Sequence, residues 1–325
     1  MAINKKSKAK AKSNSEKISN FSKHFNQSFK AYKKKHGCLP WQKGWTTTGS
    51  ASWFNHMNAV GNKVYGYFLN QVILSMSAEE NGYTSNKWIS KTNIVKNKGS
   101  WKGSATWVYG WFYWEEIQKD KSGKVLKDDK GRPVKKFGYN FRVFPIFNTD
   151  QCTGLPDSLA SSEVEAVEYT PLEGRLDIAE EYISNIGAKV DFGKTGAYYR
   201  PSTDSIGMPD FETFKTVENY YSTFVHEHIH WTKIKDRCDR ADNHASRKAY
   251  AFEELVAEIG AVHVMNNLGI RMDENAFNNH LSYVDSWLGR LDDDTTFIVD
   301  ACMLAEKAVK FLNGFQTKEE LKKVA

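Results

Sequence analysis

The chain has 325 residues, a net charge of +6 and a hydrophobic fraction of 40%, which is ample for the cores of two domains. It contains no run of 18 apolar residues, and polar residues follow its first lysines. We therefore expect neither a membrane span nor a secretory signal, and predict a cytoplasmic protein. Its four cysteines are far apart and form no C-x-x-C pair, so we expect reduced, separate thiols.

The positive charge is concentrated at the start of the chain. Residues 1–36 contain eleven Lys and one Glu, so the remaining residues carry a net charge of −4. We expect residues 1–15 to be a disordered basic tail, and aromatic residues at helical spacing predict an amphipathic helix over about 19–35. Its last turn contains Lys33, Lys34 and Lys35. This run has two interpretations, a solvated helix face or the basic footprint of a nucleic-acid site.

Loops and short elements follow this helix. A loop containing Trp41 precedes a predicted helix over residues 67–80, and residues 88–95 are predicted to include a second, short helix. A basic turn comes next, with Lys98, Trp101 and Lys102.

The stretch from Thr106 to Ile117 is the most β-like part of the chain, because its aromatic residues alternate with a period of two. Residues 119–136 are charged and contain Gly and Pro, as expected of a long hairpin connection, and a returning strand is predicted over 137–147. Aromatic rings beside lysines are typical of single-stranded nucleic-acid binding, although a Trp-rich core explains the same pattern equally well. The candidate DNA-binding side chains are Lys33, Lys34, Lys35, Trp41, Lys98, Trp101, Lys102, Trp107, Tyr109 and Trp111.

An acidic stretch with Ser and Pro predicts a linker over residues 151–171. It would separate an α+β domain over residues 16–150, with an aromatic-rich antiparallel sheet, from an α-rich domain over residues 172–325. In the second domain we predict a strand over 188–192 and a β-hairpin over 197–209, whose edge could align an extended peptide by strand addition. Its helices are predicted over residues 172–186, 210–233, 246–267, 273–290, 293–313 and 317–324.

The residues that carry chemistry are concentrated in the second of these predicted helices, the one that ends near residue 233. His226 and His230 are four residues apart and Glu227 follows the first, which is the H-E-x-x-H pattern. On a helix, the two imidazoles lie on one face and can bind one metal ion, while Glu227 lies beside it and can accept a proton from water. The other interpretation is a polar helix face with scattered histidines. Apolar neighbours favour a buried helix, in which a metal would satisfy the histidines.

Two histidines do not complete a catalytic zinc site, which needs a third protein ligand and an open position. The predicted helix over 246–267 offers Glu253, Glu254 and Glu258. We predict Glu254 as the ligand and Glu258 as the acceptor for the N–H of a ligating histidine; ordinary surface carboxylates are the alternative. A Glu ligand is typical of the gluzincin class of zinc peptidases. Zn²⁺ is the expected metal, with another divalent ion such as Mn²⁺ as the alternative.

With these motifs assembled, the chain resembles the plasmid antirestriction proteins of the ArdC type over nearly its whole length. The most specific segments are Ala197-x-Tyr199-x-Pro201-x-x-Asp204-x-Ile206-x-Met208-Pro209, His226-Glu227-x-x-His230-Trp231-Thr232 and Tyr250-Ala251-x-Glu253-Glu254-Leu255-Val256-Ala257-Glu258. A looser match includes Gly82-Tyr83-x-Ser85-x-x-Trp88 and Asn148-x-x-Gln151-x-x-Gly154-Leu155-Pro156. The segment from Tyr65 to Asn70 departs from the family's usual Tyr-x-Gly-x-Asn.

The resemblance implies a single-stranded-DNA-binding domain followed by a zincin-like metallopeptidase domain, in a plasmid- or phage-encoded protein that protects DNA from restriction. The expected partners are single-stranded DNA and an unknown protein or peptide substrate. Glu227 is the predicted general base, and Tyr250 is a candidate for stabilising the oxyanion. The alternatives are a DNA-binding protein whose metal site is structural or vestigial, and a peptidase without a nucleic-acid role.

Overall fold

The computed structural model describes residues 13–37, 55–120, 122–159, 173–240, 247–270, 294 and 296–317. Within these ranges, seven α-helices combine with one five-stranded sheet and two smaller sheets, so the predicted α+β class is confirmed. None of the described helices is long and apolar enough to cross a membrane. Trp41 and the helix predicted over 273–290 lie outside the described residues, as does nearly all of the helix predicted over 317–324.

Helix α1 (Asn14–His36) begins within the predicted tail. Ser13 and Glu16 form a capping box, in which each side chain accepts the backbone N–H of the other residue and so stabilises the first turn. Gly37 ends the helix with a φ of 77°, a left-handed conformation that glycine adopts at little cost. Residues 14 and 15 are therefore helical, which corrects the predicted boundary of the tail.

The first half continues with short strands and two more helices. In chain order these elements are β1 (Met57–Asn58), β2 (Lys63–Val64), α2 (Phe68–Asn81), β3 (Lys87–Ser90), α3 (Lys91–Lys96), β4 (Ser100–Trp101), β5 (Thr106–Ile117), β6 (Lys135–Asn148) and β7 (Cys152–Thr153). Five strands form one sheet in the order β2-β1-β3-β6-β5. Strands β5 and β6 pair antiparallel along the whole of β5, as the predicted hairpin requires.

Two boundaries in this half differ from the sequence predictions. The short helix predicted within residues 88–95 is preceded by strand β3, and α3 begins only after it. Trp88 and Ile89 are buried, and β3 pairs with β6, a distant partner that a local pattern cannot reveal. In addition, β7 pairs with β4, so residues 152–153 belong structurally to the first half rather than to a linker.

The second half contains four described helices and a three-stranded sheet. In chain order its elements are α4 (Asp177–Ile186), β8 (Lys189–Asp191), β9 (Tyr198–Arg200), β10 (Ser205–Gly207), α5 (Val217–Trp231), α6 (Arg247–Asn267) and α7 (Phe297–Asn313). The strand order is β8-β10-β9, with β9 and β10 antiparallel, so the predicted hairpin is present and β9 lies at an edge. Helix α4 begins five residues later than predicted. Helix α5 also begins later than predicted, because Thr216 caps it by accepting the Asn219 N–H.

Helices α5 and α6 approach each other closely at Gly260. A Cβ atom at this position would lie 2.8 Å from two side-chain carbons of Ile229 on α5, so glycine permits the close packing. Leu255 of α6 and Val225 of α5 are buried in the same core. This contact brings the carboxylates of α6 opposite the histidines of α5.

The two halves share one hydrophobic core. Its buried side chains come from α1, α2 and the β5–β6 hairpin, and also from α4, α5, α6 and α7. The Phe68 N–H, at the start of α2, donates to the Glu306 carboxylate of α7 over 2.6 Å, and the Phe68 ring lies 5.6 Å from the His263 ring of α6. The halves are therefore packed directly against each other.

Candidate metal centre

Helix α5 places His226 and His230 one turn apart, with both side chains buried. The burial follows from the local sequence, since the surrounding turns of α5 carry aromatic and apolar residues such as Phe224 and Ile229, which are themselves buried. The Nε2 atoms of the two rings lie 3.1 Å apart. Two buried imidazole nitrogens that face each other at this distance need a cation or a proton between them.

Glu254 of α6 completes a group of three possible ligands. Its Oε2 lies 3.4 Å from His226 Nε2, and its Oε1 lies 3.5 Å from His230 Nε2. In a tetrahedral site with bonds of about 2.0–2.1 Å, neighbouring ligand atoms are about 3.3–3.4 Å apart. The two Nε2 atoms are 3.1 Å apart, and each lies 3.4 or 3.5 Å from one of the two oxygens of Glu254. These separations are close to the tetrahedral value, so the three side chains could hold a divalent cation. The three residues predicted as ligands lie together in the structure.

Glu253, which the sequence left open as a third ligand, contacts the outer side of His230 instead. Its Oε1 lies 3.1 Å from His230 Nδ1. The same carboxylate accepts two hydrogen bonds from Arg240, at 2.9 Å from Nε and 2.8 Å from Nη2. When His230 donates its Nδ1–H to Glu253, its Nε2 lone pair is left facing the other two ligands.

Arg240 is a functional candidate that the sequence analysis missed. It is buried, and besides Glu253 it donates to the Ile229 carbonyl and the Thr232 hydroxyl at the end of α5, both over 2.7 Å. The guanidinium therefore joins the end of α5 to α6. Arg240 lies in the connection after α5, and no spacing rule links a residue there to a carboxylate on the next helix. The only available signal was an arginine close to an H-E-x-x-H motif.

Glu258 lies one helical turn beyond Glu254, with its Oε2 3.9 Å from His226 Nδ1. This distance suits an ion pair but is too long for a direct hydrogen bond, so the predicted acceptor role of Glu258 toward His226 stays a prediction. On the outer side of His230, by contrast, Nδ1 lies within hydrogen-bond distance of the Glu253 carboxylate.

Three other residues complete the description of the centre. Glu227 is buried and follows His226 directly on α5. His228 is turned elsewhere, with its Nδ1 2.8 Å from the Phe224 carbonyl oxygen. Tyr250 lies one turn before Glu254 on α6 and is 42% exposed.

The charged groups of the centre shift one another's pKa. Burial opposes charge on His230, but hydrogen bonds to Glu253 and Glu254 outweigh it and raise its pKa to about 9. Burial likewise acts to raise the pKa of Glu254, yet hydrogen bonds from His226 and His230 hold it well below its usual range. Burial and the neighbouring Glu254 charge raise the pKa of Glu258 to about 8. The carboxylate charge thus lies on Glu254, among the possible ligands, where it would attract a cation.

The predicted DNA-binding side chains with described positions lie in three parts of the first half. Lys33, Lys34 and Lys35 are at the end of α1; Lys98, Trp101 and Lys102 are in and around β4; Trp107, Tyr109 and Trp111 are on one face of β5. The exposure of the β5 residues differs from the prediction. Trp107 is 46% exposed, but Tyr109 is only 1% exposed, with its ring 5.1 Å from that of Phe21 and 5.4 Å from that of Phe141. Tyr109 is a core residue and is not available to stack on a base.

Two family models match the chain. Residues 29–147 match the N-terminal domain of anti-restriction factor ArdC, and residues 177–304 match a zincin-like metallopeptidase domain. The second match contains His226, His230 and Glu254. The fold and the site therefore define a protein that joins an ArdC-type N-terminal domain to a zincin-like domain.

Solved structures agree with this assignment. The Mn(II)-bound antirestriction protein ArdC of plasmid R388 superposes with a TM-score of 0.69 and 28% identity, covering 91% of this chain and 98% of that one. Its metal-free structure gives a TM-score of 0.68 and 27% identity, covering 94% and 99%. Together with the two family matches, these likenesses show that the chain belongs to the ArdC-type antirestriction family.

Curated relatives include much longer proteins. DNA primase TraC of Escherichia coli is 33% identical over 295 residues, which are 88% of this chain but 26% of the relative. The chain thus spans about a quarter of that protein's length. The uncharacterized protein y4eC of Sinorhizobium fredii (strain NBRC 101917 / NGR234) is 27% identical over 216 residues, covering 65% of this chain and 66% of the relative.

Proposed function

We propose that this protein is a metal-dependent peptidase joined to a single-stranded-DNA-binding region, and that it protects incoming DNA from restriction in the bacterial cytoplasm. The observation that carries the peptidase part is the convergence of His226, His230 and Glu254, with Glu227 next to His226 on α5. The donor separations fit a divalent cation, and a relative has been solved with Mn(II) bound. We propose Zn²⁺ as the resident ion, with Mn²⁺ as the alternative.

A divalent cation held by His226, His230 and Glu254 would supply a Lewis acid that polarises a peptide carbonyl. Glu227 would accept a proton from the attacking water and return it to the leaving amine. Tyr250, exposed on α6, would donate a hydrogen bond to the developing oxyanion. The free edge of β9 would align the peptide by strand addition.

The DNA-binding part is supported by the match to the ArdC N-terminal domain and by the exposed basic and aromatic side chains of the first half. Lys34, Lys35, Lys98 and Lys102 are exposed, as is Trp107. Cations that follow phosphates and rings that stack on bases would bind a single strand without strong sequence preference.

The peptidase proposal is tested by Glu227→Gln, with His226→Ala as the matched ligand variant. Glu227→Gln should retain metal, measured by metal analysis of the purified protein, and should lose cleavage of a peptide library by about a hundredfold or more. His226→Ala should lose both metal and cleavage. A wild-type protein that holds metal and cleaves no peptide in the library would contradict the enzymatic proposal.

The protective role is tested by measuring how well transferred DNA survives restriction in cells that express each variant. If peptide cleavage provides protection, Glu227→Gln should lose it. Full protection by Glu227→Gln would instead support a DNA-binding protein whose metal site does not act in protection. Binding of a fluorescent single strand should weaken steeply as salt rises, and absence of binding at low salt would contradict the DNA-binding proposal.

A further inference from the structure

A surface groove runs between helix α1 and the β5–β6 hairpin, with a cavity volume of about 600 Å³. Its apolar lining includes Trp107, Phe141 and Val143, and its polar lining includes Lys17, Asn20 and His24. The proposed function assigns no role to α1 before Lys33. The groove therefore places side chains of α1 that have no role in the proposed function next to Trp107.

The position of α1 leaves Trp107 uncovered. Trp107 and Tyr109 lie on the same face of β5 because strand side chains alternate. Phe21 of α1 packs against Tyr109, whereas the Trp107 side chain remains 46% exposed. An indole beside an open groove provides a flat surface on which an aromatic ring can stack.

The polar lining of the groove offers a lysine cation and two further hydrogen-bonding side chains, Asn20 and His24. Lys17 and His24 are seven residues apart on α1, or about two helical turns. Arg142 of β6 lines the groove as well, but its guanidinium lies 5.2 Å from the Phe112 ring, on the face of β5 opposite to Trp107. The described residues that line this cavity include no Asp or Glu. An exposed indole with a lysine nearby suits a ligand that carries both an aromatic base and a phosphate.

The groove continues into a smaller cavity of about 160 Å³, since Phe21, His24 and Trp107 line both. The smaller cavity reaches Met76 and Glu80 of α2. The Glu80 carboxylate disfavours a phosphate there, so the chemistry of the lining places phosphate near Lys17 and the base next to Trp107.

We propose that this groove is a nucleotide subsite for single-stranded DNA, in which a base stacks on Trp107 and the adjoining phosphates lie near Lys17 and His24. The proposal rests on the proposed DNA-binding function and locates part of its interface. Lys17 and His24 precede residue 29, where the match to the ArdC N-terminal domain begins. Both side chains thus belong to a segment outside that match.

The test is binding of a fluorescein-labelled oligothymidine to the full chain at several salt concentrations. Trp107→Ala should weaken binding about tenfold or more, the range expected when one stacking contact is lost, and Trp107→Phe should keep most of the affinity. Lys17→Ala combined with His24→Ala should flatten the dependence of affinity on salt. Tyr113→Ala is the matched control, because Tyr113 is exposed on the same face of β5 but outside the groove, and it should bind within about twofold of wild type.

Two results would separate the groove from the broader function. If wild type binds the oligonucleotide and both Trp107→Ala and the Lys17/His24 double variant bind equally well, the groove proposal is wrong while DNA binding stands. If wild type does not bind at low salt, the DNA-binding function itself fails. Thermal unfolding of each variant identifies loss of fold, and a Trp107→Phe variant that folds normally and loses binding as fully as Trp107→Ala would also contradict the stacking role.

Discussion

The Oε1 atom of Glu253 lies 3.1 Å from Nδ1 of His230, and this contact determines which ring nitrogen faces the metal centre. Glu254, the next residue, approaches Nε2 of the same ring from the other side, at 3.5 Å. Successive residues on a helix point about 100° apart. Of these two adjacent carboxylates, Glu254 is therefore a possible metal ligand, and Glu253 is the partner that orients the His230 ring.

Loss of the Glu253 carboxylate should weaken metal binding, because His230 would lose the partner of its Nδ1–H. We expect Glu253→Ala to lower the affinity for Zn²⁺ or Mn²⁺ by about 10- to 100-fold. Glu253→Gln, which keeps an acceptor oxygen, should lose less. Competition with a chromophoric chelator measures both, and Glu181→Gln, an exposed change on α4, is the control. Unchanged affinity in Glu253→Ala would show that His230 is oriented by packing alone.

A methyl group at Gly260 should separate the two helices that carry the ligands. Because the new Cβ would lie 2.8 Å from Ile229 carbons, we expect Gly260→Ala to reduce the free energy of unfolding by about 1–3 kcal/mol and to weaken metal binding. Urea denaturation and metal titration measure the two effects. In the double variant with Ile229→Ala, the added and removed atoms offset each other, so the loss should be smaller than the sum of the single losses. If the losses of the two single variants simply add in the double variant, the strain caused by Gly260→Ala does not come from contact with Ile229.

Asn70 should be required for the stability of the first half. Its side-chain amide donates to the Tyr109 carbonyl over 2.8 Å and accepts the Tyr109 N–H over 3.0 Å. Asn70→Ala would leave both buried backbone groups without these partners, at an expected cost of about 2–4 kcal/mol in the free energy of unfolding. Asn81→Ala is the control, since that amide makes one exposed hydrogen bond in the same helix. Equal losses in the two variants would contradict the special role of Asn70.

The burial of the Glu306 carboxyl group should make stability depend on pH. Burial raises the pKa of Glu306 to about 7, although the Phe68 N–H bond acts to lower it. Because the folded state holds this proton more tightly than the unfolded chain, the contribution of Glu306 to stability is complete below about pH 4.5 and is lost as the pH rises toward 7 and above. The full loss corresponds to about 3 kcal/mol.

Glu306→Gln tests this linkage, since it cannot ionise and still offers an acceptor to Phe68. We expect the variant to be about as stable as wild type near pH 4.5 and more stable at pH 8, in urea unfolding followed across this range. Glu181→Gln, again the exposed control, should follow the wild-type pH profile. A Glu306→Gln profile parallel to that of wild type would mean that folding does not change the pKa of Glu306.

Local patterns were sufficient to predict several elements and part of the site. The period of two over Thr106–Ile117 predicted β5 with its observed bounds, because side-chain alternation is a property of the strand itself. The four-residue spacing of His226 and His230 predicted that both rings face one point, because the helical period depends only on the local backbone.

Tertiary packing decided the rest. Which carboxylate meets the histidines depends on the axial position and rotation of α6 against α5, which the Gly260–Ile229 contact limits. The sequence alone therefore left Glu253, Glu254 and Glu258 as alternatives for the third ligand, with Glu254 preferred. The strand pattern of β5 is the same for Trp107 and Tyr109. Contacts with the rings of Phe21, Tyr67 and Phe141 bury Tyr109 and leave Trp107 exposed. In both cases the deciding contacts join residues far apart in the chain. Their contribution to stability therefore cannot be read from any local stretch of sequence.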